Sequence, residues 1–324
     1  MSQHLGLDLG AATTVIYQKG KGIVLREPTV AAVDTRGNVI AVGTKAILIH
    51  GRSPGTVTLR RPLEAGNVTD FNLMAETLDS FLELAAPKSK KHVTASVKYS
   101  FGSHNREVFT KALSDCHTGK ITLADNTLAA LLGCGENIDD NENCDLDGTV
   151  ICDIGAGSAE VAYIRQGELL RTKTLQGAGD TSDTAIIAYI RRKYGVAITK
   201  SAAREAKHKL NLTESADRFH TFAGTDGSSG MPRRVKVVLS ELIRPCAPQL
   251  DHVADLLKDL LSNLPRQGEN ISTASRIILV GGGVNLPGCA EYISAKLGRE
   301  VISAKNPADC VALGLGTIIE QKTK

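Results

Sequence analysis

The sequence predicts an α/β protein built from two related halves, and three observations support this prediction. Apolar, strand-like runs alternate with amphipathic helical segments in both halves of the chain. An apolar strand that ends in Asp-x-Gly occurs at 7–10 and again at 152–155. The chain has 324 residues, which exceeds the size at which one hydrophobic core usually stops growing. Two domains are therefore expected.

The elements of the first half follow from its hydrophobic pattern. Strands are predicted at 5–9, 14–17, 23–25 and 29–33, with loops at 37–38 and 51–55. A helix from about Asn72 to Ala85 carries apolar residues on one face and is expected to pack on the core. A basic linker at 87–91, a strand at 93–99 and helices at about 104–114 and 126–132 complete this half, and the acidic segment 136–147 is expected to separate the halves.

The second half repeats this plan. Strands are predicted at 149–154, 159–164 and 168–175, and Asp180 is expected to cap a helix that buries Ile186 and Ile190. The polar segment 211–230 is expected to be a loop before a strand at 233–239. A long amphipathic helix around 250–264 and a last strand at 276–280 follow.

The two Asp-x-Gly turns indicate a phosphate site. Each joins two apolar strands, so that backbone N–H groups can point at an anion, and Asp8 and Asp153 would lie beside a hydrated divalent cation. A third glycine cluster, at 281–283, follows a strand and would let the backbone approach a base or ribose closely. Any one of these turns could be only a tight connection, but the three together favour a nucleotide. No P-loop motif and no G-x-G-x-x-G after the first strand is present.

Composition excludes several other classes of protein. The net charge of +3, with no basic run interleaved with aromatic residues, argues against nucleic acid as a partner. The seven cysteines form no C-x-x-C pair, which predicts reduced thiols in a cytoplasmic protein and no zinc site. The first residues lead directly into a strand, and no apolar run is long enough to span a bilayer, so neither a signal peptide nor a membrane span is expected.

With these turns in view, the chain resembles the actin-like ATPases, and within them the MreB group of bacterial cell-shape proteins. Sugar kinases and Hsp70 chaperones share only the phosphate turns, whereas the resemblance to MreB runs from end to end. It rests on segments 19–30, 51–55, 61–66, 188–194, 230–233 and 311–316.

The resemblance implies a two-lobed actin-like fold with the nucleotide in the cleft between the lobes. It implies a first lobe at 1–144, with a small subdomain at about 31–72, and a second at 145–304, with a small subdomain at about 177–244. The segment 305–324 would return to the first lobe. The implied ligands are ATP and Mg²⁺, with Asp8 and Asp153 positioning the metal through water.

The resemblance also implies which residues hold the nucleotide. The first turn departs from the family's Thr-Ala-Asn, the second from its Gly-Gly-Gly-Thr-Thr-Glu, and Arg204 stands where the family usually has Glu, which puts the ribose contact in question. Alternatively, Arg204 and Lys207 could belong to a solvated helix face. The implied nucleotide-binding residues are Asp8, Gly10, Ala11, Ala12, Thr13, Asp153, Gly155, Ala156, Gly157, Ser158, Arg204, Glu205, Lys207, Gly281, Gly282, Gly283, Val284 and Asn285.

The largest departure lies where the family positions the attacking water. The usual catalytic Glu is Asn126, which can orient a water through its amide oxygen but cannot take a proton. Asp125 is either a substitute or the N-cap of the following helix. Loss of a positioned general base costs about 10²–10⁴-fold in rate, so the chain is expected to be at most a slow ATPase.

The hypothesis is therefore an ATP-binding, filament-forming cytoskeletal protein that helps determine cell shape by organising cell-wall synthesis together with membrane-bound partners. The alternative is a hydrolysis-deficient, nucleotide-gated regulatory or scaffolding partner of another actin-like filament. A sugar-kinase type of phosphotransferase is least favoured, because no acidic base is evident beside the second turn. The lysines at 87–92 could give a weak peripheral contact with the inner face of the membrane, or that segment could be a solvated loop.

Overall fold

The described residues of the first half form one large sheet, two small sheets and four helices. The computed structural model describes residues 2–53, 55–64, 67–135, 148–213, 218–264, 266–267, 270–271 and 274–321. The elements of this half, in chain order, are β1 (Ser2–Leu9), β2 (Thr13–Gln18), β3 (Gly22–Pro28), β4 (Ala31–Asp34), β5 (Val39–Val42), α1 (Gly43–Arg52), β6 (Val57–Arg60), β7 (Leu63–Glu64), β8 (Asn67–Val68), α2 (Phe71–Ala85), β9 (Lys90–Val97), α3 (Ser103–Asp115), β10 (Ile121–Asp125) and α4 (Asn126–Gly133).

The second half is likewise built from strands and helices. Two short 3₁₀ helices, at Leu239–Leu242 and Gly282–Asn285, join its regular elements. In chain order these are β11 (Gly148–Ile154), β12 (Ser158–Arg165), β13 (Glu168–Gln176), α5 (Gly179–Tyr194), β14 (Val196–Ala197), α6 (Lys200–His208), β15 (Phe219–Asp226), β16 (Pro232–Val238), α7 (Ile243–Ser262), β17 (Arg266–Gln267), β18 (Asn270–Ile271), β19 (Ala274–Val280), α8 (Cys289–Leu297), β20 (Ile302–Ser303) and α9 (Cys310–Gln321).

The two large sheets have the same topology. Their strand orders are β10-β9-β1-β2-β3 and β20-β19-β11-β12-β13. In each, the central strand pairs antiparallel with the next strand of the chain and parallel with a strand that follows a helix: β1 with β2 and β9, and β11 with β12 and β19. The two Asp-x-Gly turns therefore lie at equivalent places, at the ends of β1 and β11. The predicted fold class, two related α/β units, is confirmed.

Helices α4 and α9 cross between the two sheets with their backbones in contact. A Cβ added at Gly133 would lie 1.7 Å from the carbonyl oxygen of Cys310, and one at Gly314 would lie 1.7 Å from that of Ala129. Only glycine allows this approach. α9 also packs on the first sheet, where a Cβ at Gly6 would meet Leu315 at 2.8 Å. The crossing packs on the second sheet through a buried cluster that includes Ala130, Ile151, Ile278 and Leu315.

Several local predictions were wrong. Helix α1 was not predicted, and the segment predicted as a polar loop at 211–230 contains β15, in which Phe222 is buried between more exposed neighbours, so that the hydrophobic signal is weak. Asp180 does not cap α5; it lies in the first turn and binds cationic side chains. The predicted separating segment at 136–147, residues 214–217 and the end of the chain after Gln321 lie outside the described residues.

The basic segment at 87–92 is also only partly a linker. Strand β9 begins at Lys90, and Lys91 is buried with its Nζ 2.8 Å from Oε2 of Glu83. Lys88 and Lys90 remain exposed. Two lysines rather than three are therefore available to an anionic surface.

Candidate functional site

A cavity of about 460 Å³ lies where the ends of the two large sheets face each other. This volume is within the range of about 300–1,000 Å³ that small-molecule sites occupy. Three of the residues implied by the sequence, Asp125, Glu205 and Val284, are not among its lining residues. Those that do line it are Asp8, Gly10, Ala11, Ala12, Thr13, Asn126, Asp153, Gly155, Ala156, Gly157, Ser158, Arg204, Lys207, Gly281, Gly282, Gly283 and Asn285.

The two Asp-x-Gly turns have the same hydrogen bond. The N–H of Gly10 donates to the carbonyl of Thr13 over 3.1 Å, and that of Gly155 to the carbonyl of Ser158 over 3.0 Å. In both turns the first residue must be small, because a Cβ there would lie 2.7 Å and 3.1 Å from those same oxygens. The residues between, 11–12 and 156–157, are thereby held at the cavity wall from opposite sides.

The second turn is fixed more firmly than the first. The carbonyls of Gly155, Ala156 and Gly157 accept backbone hydrogen bonds of 2.8–3.1 Å from the segment 177–180. In the first turn, the carbonyl of Ala12 accepts one from Thr29 at 2.9 Å. The second turn and the start of α5 thus form one rigid edge of the cavity.

Asp153 is the centre of the cavity floor. Its Oδ2 accepts from Nδ2 of Asn126 at 2.8 Å and lies 2.8 Å from Nζ of Lys98. Its Oδ1 lies against Gly281, where a Cβ would be only 2.2 Å away and where φ is +90°. Gly281 is therefore required by the packing of Asp153, which gives the third glycine cluster a structural role.

Two other carboxyl groups lie close to this centre. Burial, together with the charge of Asp153, raises the pKa of Asp8 to about 7, although Oγ of Ser96 donates to Asp8 Oδ1 at 3.1 Å. Burial also raises the pKa of Glu160 to about 7; its Oε1 accepts from the N–H of Tyr99 at 2.7 Å. Its Oε2 has no hydrogen-bond partner among the described residues. Three carboxyl groups, of which Asp8 and Asp153 line the cavity, therefore act on one nearby ammonium.

Lys98 is that ammonium. Burial alone would lower its pKa, but Asp153, Glu160 and Asp8 outweigh burial and raise the pKa above its ordinary value. The side chain lines the cavity, and its Nζ would lie 3.4 Å from a Cβ at Gly155, so it touches the second turn. Lys98 reaches from the end of β9 in the first sheet to Asp153 in the second.

Asp125 and Asn126 have different surroundings. Oδ1 of Asp125 accepts from the N–H groups of Thr127 at 2.9 Å and Leu128 at 3.1 Å, so Asp125 is the N-cap of α4. Asn126 is 2 % exposed and lines the cavity. Because its amide nitrogen donates to Asp153, the amide oxygen is the atom left to accept a hydrogen bond from a ligand or water.

Asp180, Arg204 and Lys207 line one wall of the cavity and belong to a network of four cations around two aspartates. Asp183 is fully buried and binds Nε of Arg204 at 3.0 Å and Nζ of Lys207 at 2.6 Å. Asp180 binds Arg204 at 2.6 Å, and Lys200 at 3.0 Å. Arg61 lies between β6 and β7, in the first half of the chain, and it binds Asp180 at 2.9 Å.

This network sets both the charge of the wall and the position of its basic groups. Burial alone would raise the pKa of Asp180, but Arg61, Lys200 and Arg204 outweigh it and hold the pKa below its ordinary value. Nζ of Lys207 also donates to the carbonyl of Gly179 at 2.7 Å. Arg204 and Lys207 are therefore partly buried parts of the cavity wall rather than a solvated helix face, while Glu205 is exposed and binds Lys209 at 2.6 Å.

The sequence analysis missed Lys98, Arg61 and Asp183. A weak signal for Lys98 exists: it lies near the end of the strand predicted at 93–99, and parallel neighbours of a central strand end at the same edge of a sheet. Arg61 gave no such signal, because its partner Asp180 lies 119 residues away in the chain. Asp183 gave none either, because its partners Arg204 and Lys207 lie on the next helix, α6.

The expected magnesium site can be tested against these contacts. Mg²⁺ uses one or two carboxylates and keeps several waters in near-octahedral geometry. Here Oδ2 of Asp153 already binds an ammonium and an amide. Within the described residues, no group of three His, Cys, Asp or Glu side chains is arranged to hold a metal. As arranged, the floor does not fit Mg²⁺, and the metal stays a prediction.

The fold and the paired turns can now be compared with known proteins. The sequence profile of the family described as "MreB/Mbl protein" matches residues 2–324. The chain belongs to the MreB/Mbl family. It is 30 % identical to the cell shape-determining protein Mbl of Bacillus subtilis (strain 168) over 330 aligned positions, which cover 100 % of this chain and 97 % of that protein. It is 29 % identical to the cell shape-determining protein MreB of Escherichia coli (strain K12), covering 98 % and 94 %.

Solved structures agree with this membership. MreB 5 of Spiroplasma citri bound to AMPPNP matches this MreB/Mbl family member with a TM-score of 0.87 and 25 % identity over 100 % of this chain and 97 % of that one. The MamK double helical filament matches with a TM-score of 0.79 and 19 % identity over 99 % of both chains, which shows the fold alone. The predicted resemblance to MreB and the actin-like fold are confirmed. No helix among the described residues is both long and apolar enough to cross a membrane.

Proposed function

We propose that this MreB/Mbl family member binds ATP between its two Asp-x-Gly turns and assembles into filaments that help determine cell shape. The observation that carries the proposal is the cavity of about 460 Å³ enclosed by two turns of the same geometry, one from each large sheet. The relatives support it: the names of Mbl and MreB describe cell-shape determination, and MreB 5 of Spiroplasma citri was crystallised with AMPPNP and with ADP.

The phosphates would lie between the turns. The N–H groups of residues 11–13 would face the phosphate chain from one side and those of 156–158 from the other, since both turns are closed by the same hydrogen bond and their residues line the cavity. The firmly held second turn would fix the phosphate chain, and the first turn would complete the coordination of the phosphates.

The adenosine would lie farther along the cavity, between the third glycine cluster and α6. Gly282 leaves open space, with nothing within 4 Å of an added Cβ, and Asn285 and His208 also line this end. Arg204 and Lys207, held by Asp183, supply the basic side of the pocket. Val284 is buried and Glu205 is exposed, so neither contributes a side-chain contact to this pose.

Hydrolysis would be slow. Asn126 can orient a water through its amide oxygen but cannot accept a proton, and Asp125 is engaged as the cap of α4. No acidic side chain at the start of α4 is therefore available as a general base, which typically contributes about 10²–10⁴-fold to a rate. ATP would act mainly by binding and closing the cleft.

Filaments of this chain would work at the inner face of the cell membrane with membrane-bound cell-wall synthesis proteins. The MamK filament shows a related fold assembled into a double helix. Direct contact with anionic lipid would be weak, because the two exposed lysines at 88 and 90 would contribute only about 1 kcal/mol each.

Sedimentation tests this proposal. The purified protein is centrifuged with ATP, with ADP and without nucleotide, phosphate release is followed in the same tubes, and the pellets are viewed by electron microscopy. Pelleting of filaments that depends on ATP, with little phosphate released, is the expected result. If ATP binds but nothing pellets in any tube, the filament proposal falls and a nucleotide-gated partner of another filament takes its place. Turnover at an ordinary enzymatic rate, about 1 s⁻¹ or faster, would contradict the role given to Asn126.

A further inference from the structure

The floor of the cavity carries its own cation in the place where a metal was expected. Lys98 is the first residue after β9, and its Nζ crosses the cleft to within 2.8 Å of Oδ2 of Asp153. The same ammonium touches the second turn, since a Cβ at Gly155 would lie 3.4 Å from it. It therefore stands between the carboxylate expected to position a metal and the backbone expected to hold phosphate.

The side chains around this ammonium hold it in place. Oδ2 of Asp153 lies 2.8 Å from Nζ of Lys98, and Nδ2 of Asn126 donates to the same oxygen at 2.8 Å. A lysine ammonium has three N–H donors. One of them is directed at Asp153, so the others can be shared with phosphate oxygens that enter between the turns.

The other basic groups of the cavity are less suited to this task. Arg204 and Lys207 are bound by the buried Asp183, and Arg204 also by Asp180. Arg26 binds Asp309 at 2.5 Å. These groups lie on the walls, whereas Lys98 lies on the floor against the phosphate turn.

A divalent cation would have to compete with this arrangement. It would need the oxygen of Asp153 that Lys98 and Asn126 already share, and it would lie beside a fixed positive charge. Lysine is a common ligand of nucleotide phosphates and acts there as a point charge.

We propose that the ammonium of Lys98, held by Asp153, takes the place of the divalent cation, so that this protein binds ATP without requiring Mg²⁺. The inference rests on the proposed function, because it concerns the same phosphate site. It makes Lys98 a nucleotide-binding residue and Asp153 the residue that positions it.

Titration calorimetry of ATP into the full-length protein tests the inference, in excess EDTA and in millimolar Mg²⁺. For the native chain, the two dissociation constants are expected to agree within about threefold, because the cation is already present. Lys98→Met is expected to weaken binding in EDTA by about 10- to 100-fold, the range for loss of a charge-assisted hydrogen bond. Mg²⁺ is expected to restore much of this loss, since Asp153 then becomes available to the metal.

Lys91→Met is the matched control. Lys91 lies on β9, the strand that Lys98 follows, and it also binds a carboxylate, but it is outside the cavity. Its dissociation constants are expected to equal the native ones in both solutions. Thermal unfolding of each variant without nucleotide shows whether it is folded, and Lys98→Arg, which keeps the charge, is expected to stay independent of Mg²⁺.

The outcomes separate the two proposals. If the native protein loses tenfold or more of its ATP affinity in EDTA, the inference is wrong while ATP binding stands. The same conclusion follows if Lys98→Met is folded and binds ATP like the native chain in both solutions. If no nucleotide binds the native chain in either solution, the proposed function is wrong and the inference falls with it. The native comparison decides the matter even if Lys98→Met fails to fold.

Discussion

The floor and the wall of the cavity each contain buried aspartates, but they balance charge in opposite ways. On the floor, Asp8, Asp153 and Glu160 share the single ammonium of Lys98, and the pKa values of Asp8 and Glu160 are raised to about 7. On the wall, Asp180 and Asp183 bind Arg61, Lys200, Arg204 and Lys207, and the pKa of Asp180 is lowered.

This difference distinguishes a scaffold from a binding surface. The aspartates of the wall are paired with cations before any ligand arrives, and these ion pairs join α5, α6 and the first half of the chain into one unit. The floor has too few cations for its carboxyl groups, so its protonation and its contacts can change when phosphates enter. Stability should therefore depend on the wall, and pH dependence and nucleotide binding on the floor.

The largest effect is expected at the wall. Asp183→Asn would leave Arg204 and Lys207 without their fully buried partner and should lower the free energy of unfolding by about 3–5 kcal/mol. Urea unfolding measures the change. The control is Asp255→Asn, since Asp255 is 70 % exposed and 3.8 Å from Lys258, and its cost should stay within about 0.5 kcal/mol. Equal costs for the two variants would show that the wall is not a scaffold.

The next effect concerns pH and the floor. Because the folded protein keeps the proton of Asp8 up to a pH of about 7, whereas the unfolded chain loses it near 4, this group destabilises the fold as the pH rises through that window. Asp8→Asn removes the titration. As the pH rises from 4 to 8, the free energy of unfolding of the variant should therefore increase, relative to that of the native chain, by on the order of 2–4 kcal/mol.

Urea unfolding of the native chain and Asp8→Asn at several pH values checks this prediction. Glu160→Gln is expected to behave in the same direction, because burial raises the pKa of Glu160 as well. A difference between native and variant that does not change with pH would mean that the carboxyl of Asp8 ionises in the folded protein as it does in the unfolded chain.

A third effect tests the hydrogen bond from Asn126 to Asp153. Asn126→Asp replaces a donor by a carboxylate next to Oδ2 of Asp153 and should cost about 2 kcal/mol at pH 8, with a smaller cost at pH 5, where the pair can share a proton. Asn38→Asp is the same change beside Asp34 on the exposed turn between β4 and β5, at 3.0 Å, and should cost about 0.5 kcal/mol or less. Chemical denaturation at both pH values distinguishes them, and equal costs would refute a tightly coupled floor.

The smallest effect is the ion pair from Arg61 to Asp180. A double-mutant cycle with Arg61→Met and Asp180→Asn should give a coupling energy of about 1 kcal/mol, because both side chains are only about a fifth exposed. The cycle for Arg60 and Asp70, whose side chains are 47 % and 32 % exposed at 3.3 Å, should give less than about 0.5 kcal/mol. No coupling between Arg61 and Asp180 would mean that the wall is complete without the first half of the chain.

Some residues of the floor and the wall could be predicted from the sequence, and others could not. Asp8, Asp153 and their glycines were predictable because each turn is a local pattern of a strand, a small residue and a second strand. The N-cap role of Asp125 was among the alternatives for the same reason. Phe222 in β15 was missed because it is the single buried residue of that strand, and a lone buried residue gives no alternation.

The cations of the site were harder to predict because their partners are distant in the chain. Lys98 meets Asp153 only when the two sheets face each other, and Arg61 meets Asp180 across the same cleft. A resemblance to a family supplied Lys207 and cast doubt on Arg204, but it offered nothing for a lysine at position 98. The residues that make this floor unusual are therefore those that required the structure.

Both Asp-x-Gly turns should close on one nucleotide, and amide hydrogen exchange of the native protein with and without saturating ATP measures this closure. On ATP binding, exchange should become slower in residues 10–13, 155–158 and 281–285 together, with little change in the exposed hairpin of β15 and β16. Protection of only one turn, or protection confined to residues outside the cavity, would contradict the claim.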